Sequence, residues 1–277
     1  MNKFTDIGTL IILSLVIAVF SLCPSSAGAG ERISITGSTT ALPVAQRLAE
    51  VYMEKYPEIN ISVAGTGSGD GIRAIIDGSA DIGTSSRDMK GKEVALALEK
   101  GIKPVKQVIA LDCIVPVVSL DNPVTDLKVE QLRMIYNGKI KNWQNVGGHD
   151  KQIVAVSRDS SSGTFEVWQE KILNKDKVRP DAQLQASNGA VAQAVAGNKY
   201  AIGYLGIGYL NSNLKALKVN GVTASFETTR TKVYHIYREL LVFTRDEPTG
   251  PVKAFLDFVN SPKGRKIVRE EGFVAIN

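Results

Sequence analysis

Short apolar runs alternate along the chain with longer segments whose apolar residues recur every three or four positions. In the clearest helical segment, Ala45, Leu48 and Tyr52 fall on one face and polar residues on the other. Such patterns predict strands over residues 33–35, 60–63, 81–83, 105–119, 153–156, 201–204 and 239–243. They predict helices over residues 42–56, 72–77, 93–100, 127–136, 165–173, 189–196, 252–259 and 263–270. Strands that alternate with helices indicate α/β layers with parallel sheets.

No internal repeat or low-complexity linker interrupts this alternation. The chain is long enough for one large domain or two medium lobes. Any crossing between lobes must then run through ordered strands, and residues 108–119 and 240–244 are the natural candidates. We expect Pro116 to break the long β-branched run, because proline cannot donate a hydrogen bond to a neighbouring strand.

Four times, a short apolar run is followed by a cluster of Ser, Thr and Gly that opens a helical segment. A strand that leads into such a helix start presents unpaired backbone N–H groups, hydroxyls and the positive end of a helix dipole. These groups can hold an oxyanion with little formal positive charge. One such cluster would be an ordinary helix cap, whereas four indicate a shared anion site. The clusters cover residues 37–40, 65–71, 83–87 and 157–164.

Two of the clusters also have a purely structural interpretation. Residues 37–40 are typical of a helix start that has a hydroxyl cap and Pro43 in the first turn, and alone they favour that interpretation. Residues 65–71 fail the dinucleotide pattern G-x-G-x-x-G, because Asp70 stands where the last glycine should be. A tight loop is the alternative there, although Ser68 lies where the backbone can approach a ligand.

The cluster at residues 157–164 is harder to explain as a cap. A cap needs one hydroxyl, whereas this segment offers several together with Arg158, whose planar guanidinium suits a tetrahedral oxyanion. Gly163 would let the backbone come close to a ligand. In the cluster at residues 83–87, Arg87 is either a ligand donor or one half of a surface ion pair, and both interpretations stay open.

Charge, histidines and cysteines exclude several other functions. The formal net charge is +5 with acidic and basic residues interspersed, which disfavours a nucleic-acid surface. His149 and His235 show no metal-ligand spacing, so we expect neither a metal nor a cofactor. Ser162 is not in a G-x-S-x-G elbow, so we expect no enzyme, with a hydrolase as the alternative. Cys113 lies in an apolar run and is expected to be a buried small hydrophobe.

The first residues have the pattern of a secretory signal. A short basic region precedes the apolar residues 7–22, and residues 27–29 supply a small-x-small cleavage pattern. We expect cleavage of residues 1–29 and export to the periplasm, because a membrane anchor normally needs about 20 apolar residues. Lipid attachment at Cys23 is the alternative, but Leu22 stands where lipoprotein signals usually carry a small residue.

Taken together, the motifs carry a resemblance that extends from about residue 33 to the C-terminus. They cover residues 37–43, 65–69, 81–87, 138–143, 158–164, 255–258 and 261–264. In order and spacing they resemble the phosphate-binding proteins of bacterial ABC phosphate uptake systems, in the class II periplasmic binding-protein superfamily. The resemblance implies two lobes, each a mostly parallel sheet flanked by helices, joined by two crossover segments. Lobe 1 would hold residues 31–112 and 241–277, and lobe 2 residues 113–240.

Position by position, the resemblance also implies a ligand site. It implies phosphate contacts from Thr39, Thr40, Ser68, Arg158, Ser162, Gly163 and Thr164. Well-known members carry an aspartate where this chain has Ser86. The carboxylate of that aspartate accepts a hydrogen bond from protonated phosphate and repels ionised sulfate. Selectivity is therefore open, unless Asp70, Asp88 or Asp112 supplies the acceptor. Ser86 is expected to contact the ligand with the residues above, and further candidates are Ser38, Asp70 and Arg87.

The function that follows is an exported binding protein that captures inorganic phosphate between its lobes and delivers it to an ABC permease. We expect a monomer without nucleic-acid partners. Three alternatives stay open: a phosphoester hydrolase that uses a cluster serine, a binding protein for sulfate or molybdate, and a phosphate sensor without a transport role.

Overall fold

A computed structural model describes residues 31–276 of the chain. The predicted signal peptide, its cleavage site and Cys23 lie outside the described residues. Within residues 31–276, no helix is both long enough and apolar enough to cross a membrane.

The strands and helices alternate along most of the chain. The strands are β1 Arg32–Gly37, β2 Asn60–Gly65, β3 Ile82–Ser85, β4 Val105–Ser119, β5 Asp126–Leu127, β6 Val154–Arg158, β7 Gln183–Gln185, β8 Ala201–Gly206, β9 Leu214–Ala216, β10 Lys218–Val219, β11 Tyr237–Thr244 and β12 Val274–Ala275. The α-helices are α1 Leu42–Lys55, α2 Ser68–Asp77, α3 Gly91–Glu99, α4 Val129–Tyr136, α5 Gly163–Lys171, α6 Asn188–Ala196, α7 Phe226–Arg230, α8 Gly250–Val259 and α9 Pro262–Glu270. Short 3-10 turns cover Trp143–Val146 and Ile207–Tyr209.

One path of hydrogen-bonded strands runs β2-β1-β3-β11-β4-β8-β6-β7. At its two ends the strands pair in parallel, β1 with β2 and β3, and β6 with β7 and β8. In its middle, β11 lies antiparallel to both β3 and β4, and β4 lies antiparallel to β8. The two long strands β4 and β11 therefore connect the two parallel regions.

The expected break at Pro116 is wrong, because β4 continues through that residue to Ser119. Pro116 lies opposite Tyr204 of β8, and its carbonyl oxygen accepts a hydrogen bond of 2.9 Å from the backbone N–H of Leu217. Proline lacks the backbone N–H but keeps its carbonyl oxygen, so a strand tolerates it at a position where only the carbonyl needs a hydrogen-bond partner. β4 thus remains a continuous connection through the middle of the fold.

The buried apolar side chains form three clusters. One contains residues from 113–236, a second contains residues from 33–110 and 240–275, and a small third one packs α2 against β11. Cys113 belongs to the first cluster and is fully buried, which confirms its predicted role as a core residue. Burial raises the pKa of the Cys113 thiol to about 12, so the thiol stays protonated at neutral pH.

Aromatic packing in the first cluster supports the end of β6. The rings of Trp168 and Tyr204 stack with centroids 4.2 Å apart, and Tyr136 packs edge-on against both. The Tyr204 hydroxyl lies 2.8 Å from Ser157 Oγ and accepts a hydrogen bond of 3.3 Å from the N–H of Arg158. A rigid aromatic core therefore fixes the backbone at the point where β6 ends.

Candidate anion-binding site

Three helices begin at one place in the fold, next to the end of β3. They are α1, α2 and α5, and each follows a strand through one of the predicted hydroxyl clusters. The segments that lead into these helices, their first residues and the end of β3 surround a small, tightly closed cavity, called here the inner cavity. Its lining residues are Ser38, Thr39, Thr40, Gly67, Ser68, Ser86, Arg158, Ser162, Gly163 and Thr164.

The helix starts bring backbone donors to this cavity. The first N–H groups of an α-helix have no partner within the helix, and the helix dipole favours an anion there. α2 begins at Ser68, earlier than the sequence pattern predicted, so that hydroxyl lies in the first turn. A Cβ atom on Gly163 would come within 2.4 Å of Ser68 Oγ and 2.7 Å of Ser86 Oγ. Only glycine therefore lets the start of α5 approach α2 this closely.

Arg158 is the one charged residue in the lining of the inner cavity, and its side chain is 1% exposed. Nε donates to the carbonyl of Gln185 and Nη2 to that of Ala186, both at 2.9 Å. Nη1 has no hydrogen-bond partner among the described residues. The nearest carboxylate that pairs with the guanidinium is that of Asp159, 3.8 Å from Nη2. Burial lowers the pKa of Arg158, but an arginine side chain keeps its proton and its charge in proteins.

Sequence reasoning missed Arg238 and the role of Asp112, which lie directly behind the cavity. Arg238 of β11 donates from Nε to Asp112 Oδ2 of β4 at 2.8 Å, and Asp112 is completely buried. Its other nitrogens donate to three cavity hydroxyls: Thr40 at 3.0 Å, Ser86 at 3.3 Å and Thr164 at 2.9 Å. Asp112, the only charged residue in the apolar run 108–118, was the signal that could have pointed to a buried ion pair at this place.

Asn188, the first residue of α6, is a second polar residue that sequence reasoning missed. Its side-chain amide donates to the hydroxyls of Thr39 and Thr40, each at 3.0 Å, and its carbonyl oxygen accepts from the N–H of Gly206. Tyr209 donates its hydroxyl hydrogen to the carbonyl of Thr39. Nothing in the sequence separated Asn188 from an ordinary residue at a helix start.

Asp70 and Arg87, two of the further candidates, lie elsewhere. Both line a larger neighbouring cleft, called here the outer cleft, rather than the inner cavity. Arg87 is held by Glu93, at 2.7 and 2.8 Å, and by Glu166 of α5, at 3.0 Å. Burial opposes the charge of Arg87, but the two carboxylates outweigh it and raise its pKa. These carboxylates offset the charge of Arg87, although its Nε lies 3.0 Å from Glu166 without a hydrogen bond of acceptable geometry among the described residues.

The fold and a buried, donor-lined cavity at helix starts define a class of solute-binding proteins. The profile of a known family, described as a PBP superfamily domain, matches residues 24–263. A solved structure from Clostridium perfringens, described as a phosphate ABC transporter substrate-binding protein with bound phosphate, superposes with a TM-score of 0.83. It is 36% identical, and the match covers 89% of this chain and 100% of that one. The predicted α/β fold of class II periplasmic binding proteins is thereby confirmed.

Two named relatives identify the family more narrowly. The phosphate-binding protein PstS of Borreliella burgdorferi is 32% identical over 88% of this chain and 90% of its own length. PstS of Bacillus subtilis is 31% identical over 96% of this chain and 94% of its own length. The chain belongs to the PstS family of phosphate-binding proteins.

Proposed function

We propose that this protein binds inorganic phosphate in the inner cavity and delivers it to an ABC permease. The observation that carries this proposal is the donor set of the cavity: helix N-termini, hydroxyls and the unpartnered Nη1 of Arg158, with no carboxylate in the lining. A buried cation without a partner is costly unless an anion joins it. The relatives are named for phosphate binding, and one neighbouring structure carries bound phosphate.

The binding mechanism that we propose is closure of two lobes around the ligand. Lobe 1 holds residues 31–112 and 241–277, and lobe 2 holds residues 113–240. Two buried clusters support this division, because all their members except Leu240, which packs with lobe 1, come from these same stretches of chain. β4 and β11 are the two crossover segments, and bending there would open and close the cavity. Most ligand contacts would be neutral hydrogen bonds of modest strength, so the ligand can be released to the permease.

Location and partners follow from the same proposal. The family works outside the cytoplasm, and a cleaved signal over residues 1–29 would place the mature protein in the periplasm. There it would act as a monomer. A hydrolase based on a cluster serine has less support, because the family consists of binding proteins rather than enzymes. Ser162 Oγ caps α5 by accepting the N–H of Phe165, and neither His149 nor His235 lines the inner cavity.

The binding claim is tested by calorimetry of the mature protein with phosphate, arsenate, sulfate and molybdate. We expect phosphate to bind and to raise the melting temperature by mass action. A folded protein that binds none of the four anions would contradict the proposed function.

The closure claim has a separate test. Phosphate should compact the protein in solution scattering if the free protein samples an open form. A melting shift without any compaction would contradict closure and would instead favour a permanently closed site or a site within one lobe.

A further inference from the structure

Arg238 connects the buried centre of the fold to the hydroxyls of the inner cavity. Its side chain is 3% exposed and does not line the cavity itself. The guanidinium can only donate hydrogen bonds. Each of the three hydroxyls that it contacts, those of Thr40, Ser86 and Thr164, must therefore use a lone pair as the acceptor.

Thr40 is the most constrained of the three hydroxyls. A hydroxyl has two lone pairs and one hydrogen. Thr40 Oγ1 accepts from Arg238 Nη2 and from Asn188 Nδ2, both at 3.0 Å, so both of its lone pairs are in use. Its hydrogen must point elsewhere, and the available acceptors are Thr164 Oγ1 at 3.1 Å or a ligand oxygen in the cavity.

Ser86 and Thr164 are constrained in the same way, though less completely. Each accepts from Nη1 of Arg238, and each has one further hydroxyl neighbour: Ser68 Oγ lies 3.2 Å from Ser86 Oγ, and Thr40 Oγ1 lies 3.1 Å from Thr164 Oγ1. Sulfate, and the unprotonated oxygens of phosphate, offer only acceptors to these groups. The hydrogens of the hydroxyls that Arg238 contacts can then turn toward the anion while Arg238 keeps its bonds.

Asp112 holds Arg238 in this arrangement and does not itself line the inner cavity. Its Oδ2 accepts from Arg238, and its Oδ1 accepts from the N–H of Ile207 at 3.1 Å. The carboxylate also balances the charge of Arg238, so the pair can stay buried without a ligand. Of the three aspartates considered as acceptors for a protonated ligand, Asp112 thus bonds to Arg238 and Ile207 and does not line the inner cavity.

We propose that Arg238, held by Asp112, sets the hydroxyls of Thr40, Ser86 and Thr164 as donors, so that the site recognises tetrahedral shape and charge rather than a ligand proton. Arg238 is in this sense a positioning residue that determines specificity. The inference rests on the proposed function, because it concerns the same cavity. The ligand class is then tetrahedral oxyanions in general, including sulfate, which has no proton to donate.

The hydroxyls that keep a free lone pair explain why phosphate is still accepted. Among residues 31–276, Thr39 Oγ1 accepts only from Asn188, and Ser162 Oγ accepts only from the N–H of Phe165. Either hydroxyl can accept a P–OH hydrogen, and either can rotate to donate to sulfate instead. A neutral hydroxyl therefore does not reject sulfate as a carboxylate would.

The experiment compares the dissociation constants of phosphate and sulfate in the mature wild-type protein and in the double variant Asp112→Asn/Arg238→Gln. The double variant removes both charges together, so that no buried carboxylate is left unpaired. We expect sulfate to bind the wild type within about tenfold of phosphate. In the double variant, freed lone pairs can accept from phosphate, and its preference over sulfate should rise at least about fivefold.

Two further variants separate positioning from simple structural damage. Arg179→Gln/Asp181→Asn makes the same chemical change in another arginine–aspartate pair, which does not line the cavity, and should leave the ratio unchanged. Arg238→Lys keeps a cation beside Asp112 and should stay closer to the wild-type ratio than the double variant does.

Each outcome supports or overturns the inference. If the wild type rejects sulfate by a hundredfold or more, the inference is overturned without any variant, even where the double variant does not fold. An unchanged ratio in a double variant that still binds phosphate overturns it as well. If the folded wild type binds neither anion, the proposed function fails, which is a different result.

Discussion

Arg158 and Arg87 differ in their surroundings, although each lies at or just beyond the end of a strand and stands beside a serine. Each nitrogen of the Arg87 guanidinium lies within 3.0 Å of a carboxylate oxygen of Glu93 or Glu166. Arg158 has two carbonyl partners, an unpartnered Nη1 and no carboxylate closer than 3.8 Å. Arg87 therefore serves as an anchor between segments, whereas Arg158 remains available to an anion.

The same contrast holds for the cavities that the two arginines line. The inner cavity contains one cation and no carboxylate, whereas the outer cleft combines cations with Asp70, Glu93 and Glu166. Each lining carries one more cation than carboxylates, but the cations of the outer cleft lie among three carboxylates, whereas the lining of the inner cavity has none to offset Arg158. An anion is therefore favoured more strongly in the inner cavity. An arginine in a serine-rich segment is therefore only a candidate ligand group. Carboxylates from other segments decide whether it stays free.

The largest expected effect is that of Arg158→Ala. Loss of one or two charge-assisted hydrogen bonds, each about 1.5–3 kcal/mol, should weaken phosphate binding at least about tenfold. Calorimetry measures the affinity, and the melting temperature of the free protein reports folding. Arg230→Ala, which breaks an exposed ion pair with Glu227, is the control and should bind as the wild type does. Unchanged affinity in the Arg158 variant would place phosphate elsewhere.

The next effect concerns selectivity at Ser86. Ser86→Asp introduces an acceptor-only group into the cavity lining and should raise the phosphate preference over sulfate about tenfold. Competition calorimetry measures the ratio. Ser86→Asn is matched in size, can donate to sulfate and should leave the ratio near that of the wild type.

Asp70→Asn supplies a second control for the selectivity experiment. Asp70 lines the outer cleft and not the inner cavity, so this change should not alter the ratio. A relaxed ratio in this variant would show that Asp70 faces the ligand in solution.

A smaller effect is expected from Glu166→Gln. Glu166 of α5 pairs with Arg87 at 3.0 Å and with Lys90 at 2.7 Å, so under the lobe division it joins lobe 2 to lobe 1. Weakening these pairs should disfavour the closed form and reduce the affinities of phosphate and sulfate equally, by about threefold to tenfold. Glu170→Gln, at an exposed position of the same helix, should have no effect. An altered selectivity would contradict a role limited to closure.

The smallest effect concerns acid stability in the outer cleft. Burial raises the pKa of Glu93, but hydrogen bonds from Arg87 and from the Lys90 backbone outweigh it and lower the pKa below its usual value of 4.5. A carboxyl whose folded pKa is lowered stabilises the protein above its unfolded pKa, and this contribution is lost as the pH falls through the folded value. Denaturant unfolding of Glu93→Gln should therefore differ from wild type at pH 7 and converge with it in acid.

Glu54→Gln, on an exposed position of α1, is the control for the unfolding series. The difference in unfolding free energy between wild type and the Glu93 variant should shrink with acidification, whereas the control should follow the wild type. A difference that grows in acid would contradict the direction assigned to Glu93.

Much of the site could be predicted because its hydroxyl clusters are local in sequence. The sequence around each of Thr40, Ser68 and Ser162 is typical of a helix start. The backbone N–H donors of these helix starts can therefore be predicted from local sequence alone. Arg238 could not be placed in the same way. Its contact with Asp112 joins positions that are 126 residues apart and depends on the antiparallel register of β4 and β11.

The fold shows the same limit. Long periodic segments predicted the main helices and strands, but short strands such as β7, whose sequence is Gln-Leu-Gln, carry no recognisable pattern and form through their neighbours. The antiparallel pairing of β4 and β11 likewise depends on tertiary packing rather than on alternation along the chain. The same holds for Arg87: its partner Glu166 lies on α5, far away in sequence, so the sequence could not show that Arg87 forms an ion pair there.

The central claim, that Arg158 rather than Arg87 holds the ligand, is tested most directly by a crystal structure with arsenate measured at the arsenic absorption edge. Arsenate is a tetrahedral oxyanion of the class proposed for the site, and its anomalous signal marks the anion without ambiguity. We predict one strong peak within hydrogen-bonding reach of Arg158 Nη1 and the first turn of α5, and none beside Arg87. A peak in the outer cleft beside Arg87, with the inner cavity empty, would contradict the account.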